Sequence, residues 1–417
     1  MRILRTVLAV VVAVTIGACT AARAPEPLDA PRSRTRATSV LLISLDAFRA
    51  DYFERGLTPR LAQLAREGVR AEWMTTSYPS LTFPNHYSVV TGLRPDRHGI
   101  IHNTMRDPVL GSFGLSNRDA VGNGAWWGGE PVWVTAERAG LPTATFFWPG
   151  SEAAIAGVRP TRWKPYDESV QVTARIDTVL EWLNEAPETR PRLITLYVEA
   201  LDDAGHSYGP DSDQLRRALG EVDAAMGRLL DGLAARSLTD DVDFVITSDH
   251  GLAPVPPGNT VAVEDMVDPK DAAVVTTGQS VGFNPLPGRE REAYARLLGA
   301  HERYDCWRKD ELPARWHYGK HPRVPAIVCQ MHEGWDAGLR ASLAKRPAGV
   351  TRGSHGFDPA LPSMRTIFIA NGPSFRRGLV VPAVENVDVY PLLTSLLGLE
   401  PVDHDGNPRA LAPALIR

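Results

Sequence analysis

The chain alternates between short runs that are apolar at successive positions and longer stretches with helical spacing. Ser39–Leu45 is nearly all aliphatic and ends against an acid, Asp46. Such a run, with no polar face, predicts a strand covered on both sides, as in parallel sheets. The same pattern recurs at Leu193–Val198, which leads into Glu199-Ala-Leu-Asp-Asp-Ala-Gly-His206, and at Val242–Thr247, which leads into Ser248-Asp-His-Gly251. Thr366–Ala370 predicts a further strand. Between them, Thr58–Arg70 places Leu61, Leu64 and Ala65 on one helical face and meets Gly68 as a stop, while Val170–Leu183 and Asp213–Ala235 predict longer helices. Alternating strands and helices predict an α/β fold, a mostly parallel sheet sandwiched by helices. Ligands gather at the carboxyl ends of strands in such sheets, where Asp46, Asp202 and Asp249 fall.

The first residues do not fit this pattern. Arg2 and Arg5 precede an apolar run, Val7–Ile16, too short for a permanent membrane span, so residues 1–18 read as a signal peptide. Small residues stand directly before Cys19, a pattern similar to a bacterial lipoprotein signal in which Cys19 is acylated and tethers the chain to a membrane; ordinary signal cleavage is the alternative. Either way the expectation is export, to the periplasm, the outer membrane or outside the cell. Residues 19–38, rich in Ala, Pro and Arg, read as a disordered tether. Residues 39–417 then form one catalytic α/β domain, in which approximately 252–350 is an inserted cap.

Composition narrows the function classes. The chain is 43% hydrophobic and 23% charged, with a net charge of −4, and no basic tract predicts stable nucleic-acid binding. Apart from Cys19, only Cys306 and Cys329 are present. In an oxidising compartment these two are expected to pair, and neither has zinc-type spacing.

Candidate chemistry centres on Tyr78-Pro-Ser-Leu-Thr-Phe-Pro-Asn-His-Tyr87, where one hydroxyl, Thr82, stands between Pro79 and Pro84. The two prolines make the run look too broken for a long helix, and by itself it reads as a loop. Asp249-His250, Asp202-x-x-x-His206 and His355 in a Gly-rich loop are each commonplace alone. Together they supply three carboxylates and three imidazoles, a mixed donor set that suits Zn²⁺ better than Mg²⁺. Carboxylates crowded at one sheet edge repel one another without cations.

With Asp46 after the first strand, the Tyr78–Tyr87 run, Thr91-Gly-Leu-Arg-Pro-Asp-Arg-His-Gly-Ile100, Asp202-x-x-x-His206-x-x-Gly-Pro, Ser248-Asp-His-Gly and His355-Gly-Phe-Asp, the chain resembles the nucleotide pyrophosphatase/phosphodiesterase family of the alkaline phosphatase superfamily. The resemblance implies two Zn²⁺ ions, one held by Asp46, Asp249 and His250 against the nucleophile Thr82, the other by Asp202, His206 and His355. It implies cleavage of nucleotide phosphodiester and pyrophosphate bonds to nucleoside 5′-monophosphates through a nucleotidyl-threonine intermediate. Asn103 matches the amide that binds a non-bridging phosphate oxygen. Phe83 and Tyr166 match base-stacking positions, and Leu115 extends the same apolar wall. His86 and His98 match no metal position and read as structural. Leu81 departs from a position often polar or basic, which leaves the leaving group open. The alternative is a relative hydrolysing phospholipid head-group diesters or phosphonates.

Overall fold

The structure, a computed structural model, describes residues 38–416. The leader, Cys19 and almost all of the predicted tether lie outside them. Eight strands form the central sheet: β1 (Ser39–Leu45), β2 (Val69–Ala71), β3 (Thr143–Phe146), β4 (Arg162–Lys164), β5 (Leu193–Val198), β6 (Val242–Thr247), β7 (Phe368–Asn371) and β8 (Leu379–Val381). Their spatial order is β8-β2-β7-β6-β1-β5-β3-β4. Only β7 runs antiparallel to its neighbours β6 and β2; the other pairings are parallel.

Both faces of the sheet are covered, which is why its central strands are apolar at successive positions. In β1, Leu41, Ile43 and Leu45 enter a layer with Leu61, Val179 and Leu229 from the helices Pro59–Glu67, Val172–Leu183 and Asp213–Ala235. Val40 and Leu42 enter the opposite layer with Val90, Trp133 and Leu393, from Thr82–Thr91, Val132–Arg138 and Val389–Leu397. Burying such an aliphatic side chain contributes about 1.5–3 kcal/mol, so a one-residue slip of β1 would be costly.

Three sequence expectations change. The first helix ends at Glu67, not Arg70, because Gly68 closes it and Arg70 pairs in β2 with Ile369. The strand expected from Thr366 begins at Phe368, while Thr366 makes isolated bridges to Arg49 and Met74. The run read as a loop around Thr82 holds a helix, Thr82–Thr91. Pro84 occupies its first turn, where a backbone N–H has no helical partner to lose.

Residues 272–331 contain a five-stranded antiparallel sheet, ordered Ala272–Thr276, Ser280–Pro285, Ile327–Met331, Tyr304–Arg308 and Gly299–Ala300. Cys306 and Cys329 lie opposite each other on two of its strands and are disulfide-bonded. This segment touches the Thr82 region directly: Ser280 Oγ, on the sheet, is 3.0 Å from the Tyr78 hydroxyl, and Trp316, on the turn Ala314–Trp316, stacks on the Tyr78 ring at 4.0 Å.

Candidate active site

Parallel pairing brings the ends of β1, β5 and β6 to one edge, with Leu45 beside Val198 and Ser44 beside Thr247. Asp46 follows β1 directly, Asp249 comes two residues after β6, and Asp202 lies in the first turn of the helix Ala200–Tyr208 that follows β5. His206 is one turn further along that helix. His355 enters from the loop after the short strand Arg352–Ser354. Thr82 is the first residue of its helix, so it presents its hydroxyl at the end where N–H groups and the helix dipole favour an anion.

The predicted donors converge in two adjoining groups. His250 Nε2 lies 3.0 Å from Asp249 Oδ2, 3.4 Å from Asp46 Oδ1 and 3.2 Å from Thr82 Oγ1. His206 Nε2 lies 3.3 Å from Asp202 Oδ1 and 3.0 Å from His355 Nε2. The imidazoles of His250 and His355 stack with centroids 3.4 Å apart. Asp46, Asp249 and His250 are fully buried, and no lysine or arginine pairs with any of the three carboxylates among the described residues.

Hydrogen bonds around the imidazoles set their tautomers. His250 Nδ1 meets Gly251 O at 3.0 Å, His206 Nδ1 meets Gly353 O at 3.0 Å and His355 Nδ1 meets Ser80 O at 3.0 Å. A carbonyl can only accept, so each Nδ1 carries the proton and each Nε2 turns a lone pair inward. Asp46 Oδ1, Asp202 Oδ1 and Asp249 Oδ2 are likewise buried with no hydrogen-bond partner. Inward lone pairs and orphaned carboxylate oxygens form a donor set that cations fit.

Without a cation, the buried charges press on one another. Burial, with the charges of Asp249 and Asp202 beside it, holds the Asp46 carboxyl well above the usual range. Burial pushes Asp249 up as well, but His250 and His86 outweigh it and hold it low. Burial likewise opposes the charged form of His250, yet Asp249 raises it. Burial, then His250 and His206, lowers His355. Protons or metal ions must neutralise this cluster, and three Nε2 lone pairs favour metal ions.

Asn103 accepts a hydrogen bond at Oδ1 from the Phe83 N–H, 2.9 Å, leaving its Nδ2 as the side chain's donor. A cavity of about 200 Å³ opens beside Thr82, and Phe83, Leu115 and Tyr166 all line it. Tyr166 packs edge-on against Phe147 at 5.3 Å and stays half-exposed. His98 is buried, bonded to Ser88, and part of none of the possible cation-holding groups among the described residues. His86, read as structural, sits closer to them than expected. Its Nδ1 donates to Thr82 O at 2.8 Å and lies 3.3 Å from Asp249 Oδ2, so it stands beside the Asp46–Asp249 pair.

Sequence reasoning missed Tyr197, whose hydroxyl donates to Asp46 Oδ2 at 2.6 Å. It stands one residue before the end of β5, where a polar-tipped side chain in an aliphatic run is the available signal. Arg118, Glu152, Glu199 and Asp203 on the cavity wall were also missed, because nothing in their local spacing marks them.

Comparisons with known proteins point to one family. A profile of the type I phosphodiesterase / nucleotide pyrophosphatase family matches residues 40–358. An uncharacterized pyrophosphatase/phosphodiesterase of Schizosaccharomyces pombe is 34% identical over 392 residues, 90% of this chain and 80% of that protein. Human ectonucleotide pyrophosphatase/phosphodiesterase family member 1 is 36% identical over 379 residues, and the chain spans 40% of its length. The solved structure of an inactive threonine-to-alanine variant of the murine family member 5, in complex with AMP, has a TM-score of 0.85 at 33% identity and covers 91% of this chain and 100% of that one. The chain belongs to the type I phosphodiesterase / nucleotide pyrophosphatase family, as a hydrolase of phosphodiester and pyrophosphate bonds on an alkaline phosphatase-like fold.

Proposed function

We propose that this protein is an exported two-zinc enzyme that releases nucleoside 5′-monophosphates from nucleotide diesters and pyrophosphates, with Thr82 as nucleophile. The observation that carries the reading is Thr82 Oγ1 at a helix N-terminus, 3.2 Å from His250 Nε2 and beside the buried Asp46–Asp249 pair. Asp46, Asp249 and His250 would hold one Zn²⁺ against Thr82, and Asp202, His206 and His355 the other. When bound, the two ions supply Lewis acidity that lowers the threonine hydroxyl's pKa and neutralises charge on the phosphate oxygens.

The chain's own residues supply the rest. Thr82 Oγ1 forms a bond to phosphorus as the bond to the leaving oxygen breaks, giving a nucleotidyl-threonine. Water then attacks the same phosphorus, releasing the monophosphate and restoring the hydroxyl. Asn103 Nδ2 donates to a non-bridging oxygen. It is a neutral donor, which suits a singly charged diester better than a dianionic monoester. Phe83 and Tyr166 stack the base against the Leu115 wall, a contact tolerant of base identity. Support for a nucleotide comes from the similar murine protein, seen with AMP in an inactive threonine variant. The leader and Cys19 support export with a lipid tether in a bacterial periplasm or outer membrane, and no described helix is long and apolar enough to cross a membrane.

The test is Thr82→Ala assayed on p-nitrophenyl esters of nucleoside 5′-monophosphates. Turnover is expected to fall by about a thousandfold or more while zinc content and fold persist. Substantial retained turnover would remove Thr82 from the mechanism. Faster cleavage of a lysophospholipid than of any nucleotide would move the substrate to the head-group class.

A further inference from the structure

We propose that the Asp203 carboxylate accepts hydrogen bonds from the ribose hydroxyls of a nucleotide bound in the Thr82 cavity, so that the enzyme selects ribonucleotides over deoxyribonucleotides. The inference rests on the nucleotide reading above and names the group that reads the sugar.

Four carboxylates line the cavity, and three are engaged. Glu152 pairs with Arg118 and accepts the Tyr166 N–H. Glu199 is gripped by both terminal nitrogens of the buried Arg175. Asp202 faces His206 and His355. Asp203 is the fourth, and its side chain has no hydrogen bond or ion pair among the described residues.

Its place along the cavity identifies what it meets. Asp203 follows Asp202 on the helix Ala200–Tyr208, so the roughly 100° turn per residue carries it away from the cation-holding face while leaving it adjacent. It lines the same cavity as Asp202 and Tyr166. Thr82 and Asp202 mark the phosphate end, and Phe83 and Tyr166 mark the base wall. The segment of a 5′-nucleotide between phosphate and base is the ribose. An ionised carboxylate only accepts, and its two oxygens match the two hydroxyl donors of a ribose cis-diol. A 2′-deoxy sugar offers one donor fewer and leaves one oxygen unmatched, the situation that gives a polar site its discrimination.

The experiment compares wild type with Asp203→Ala and Asp203→Asn on three substrates: the p-nitrophenyl esters of AMP and of 2′-deoxy-AMP, and bis(p-nitrophenyl) phosphate, which has no sugar. Hydrogen bonds to a charged group predict a wild-type ribo-over-deoxy preference of about tenfold in kcat/KM. Both variants are expected to lose most of it, with the loss falling on the ribo ester. Relative inhibition by AMP and 2′-deoxy-AMP should converge in parallel. A preference that survives in Asp203→Ala overturns the proposal, as does an equal fall on all three substrates, which would mean Asp203 acts only through the cation cluster. Wild type that hydrolyses the sugarless diester as well as the ribo ester would instead overturn the nucleotide reading itself.

Discussion

Single residues decide the chemistry here, and Tyr197 shows how. Its phenol is held protonated by burial and by the neighbouring Asp46 charge, so it donates to Asp46 Oδ2 and leaves Oδ1 for a cation. Tyr197→Phe is expected to weaken zinc affinity by about 10- to 100-fold, read by competition with a chromogenic chelator. The six donors and Thr82 could be read from the sequence because their motifs survive as short words. Tyr197 and Asp203 could not, because what surrounds each is supplied only by the folded chain. Gly205 stands between these cases, because a glycine beside His206 fits a loop as well as a helix. It proves helical, and a Cβ there would come within 2.2 Å of Leu252 Cδ2. The glycine serves close packing, which brings Gly353 O within reach of His206 Nδ1.

At the scale of elements, the hairpin Thr104–Asp107 with Gly111–Gly114 separates Asn103 from Leu115, so its position sets the mouth of the cavity. Arg323 anchors it. It bonds Asp107 at 2.9 Å, donates to Gly99 O and Trp126 O, and lies over the Trp126 ring. Arg323→Ala is expected to cost about 2–3 kcal/mol in urea unfolding, with a raised KM. The hydrogen bond from Arg323 pulls the Asp107 carboxyl down to about 2. A depressed carboxyl contributes stability above its unfolded value of about 3.9 and loses it as pH falls toward the folded one. The gap between wild type and variant should therefore narrow as pH drops from about 4 toward 2. Strands β1, β5 and β6 were legible residue for residue because burial on both faces leaves a mostly apolar signature with no polar face. The Thr82 helix was not, because its two prolines mask a helix whose first turn tolerates one of them.

Across the whole molecule, the alternation of strands and helices announced the fold class, but not the antiparallel β7 or the pairing inside residues 272–331. Those depend on contacts between distant segments. The expected bond between Cys306 and Cys329 is present in that second sheet, which leans on Tyr78 beside the nucleophile. Replacing both cysteines by serine is expected to lower stability by about 3 kcal/mol, seen as a lower melting temperature that added reductant no longer changes. The candidate donors are scattered from position 46 to position 355, and on the proposed reading Thr82 acts only with the full set. A polypeptide that stops short of His355 carries the attacking hydroxyl but lacks part of the metal cage. Truncation before His355 is therefore expected to yield inert protein, with activity arriving only once most of the chain has been made and folded.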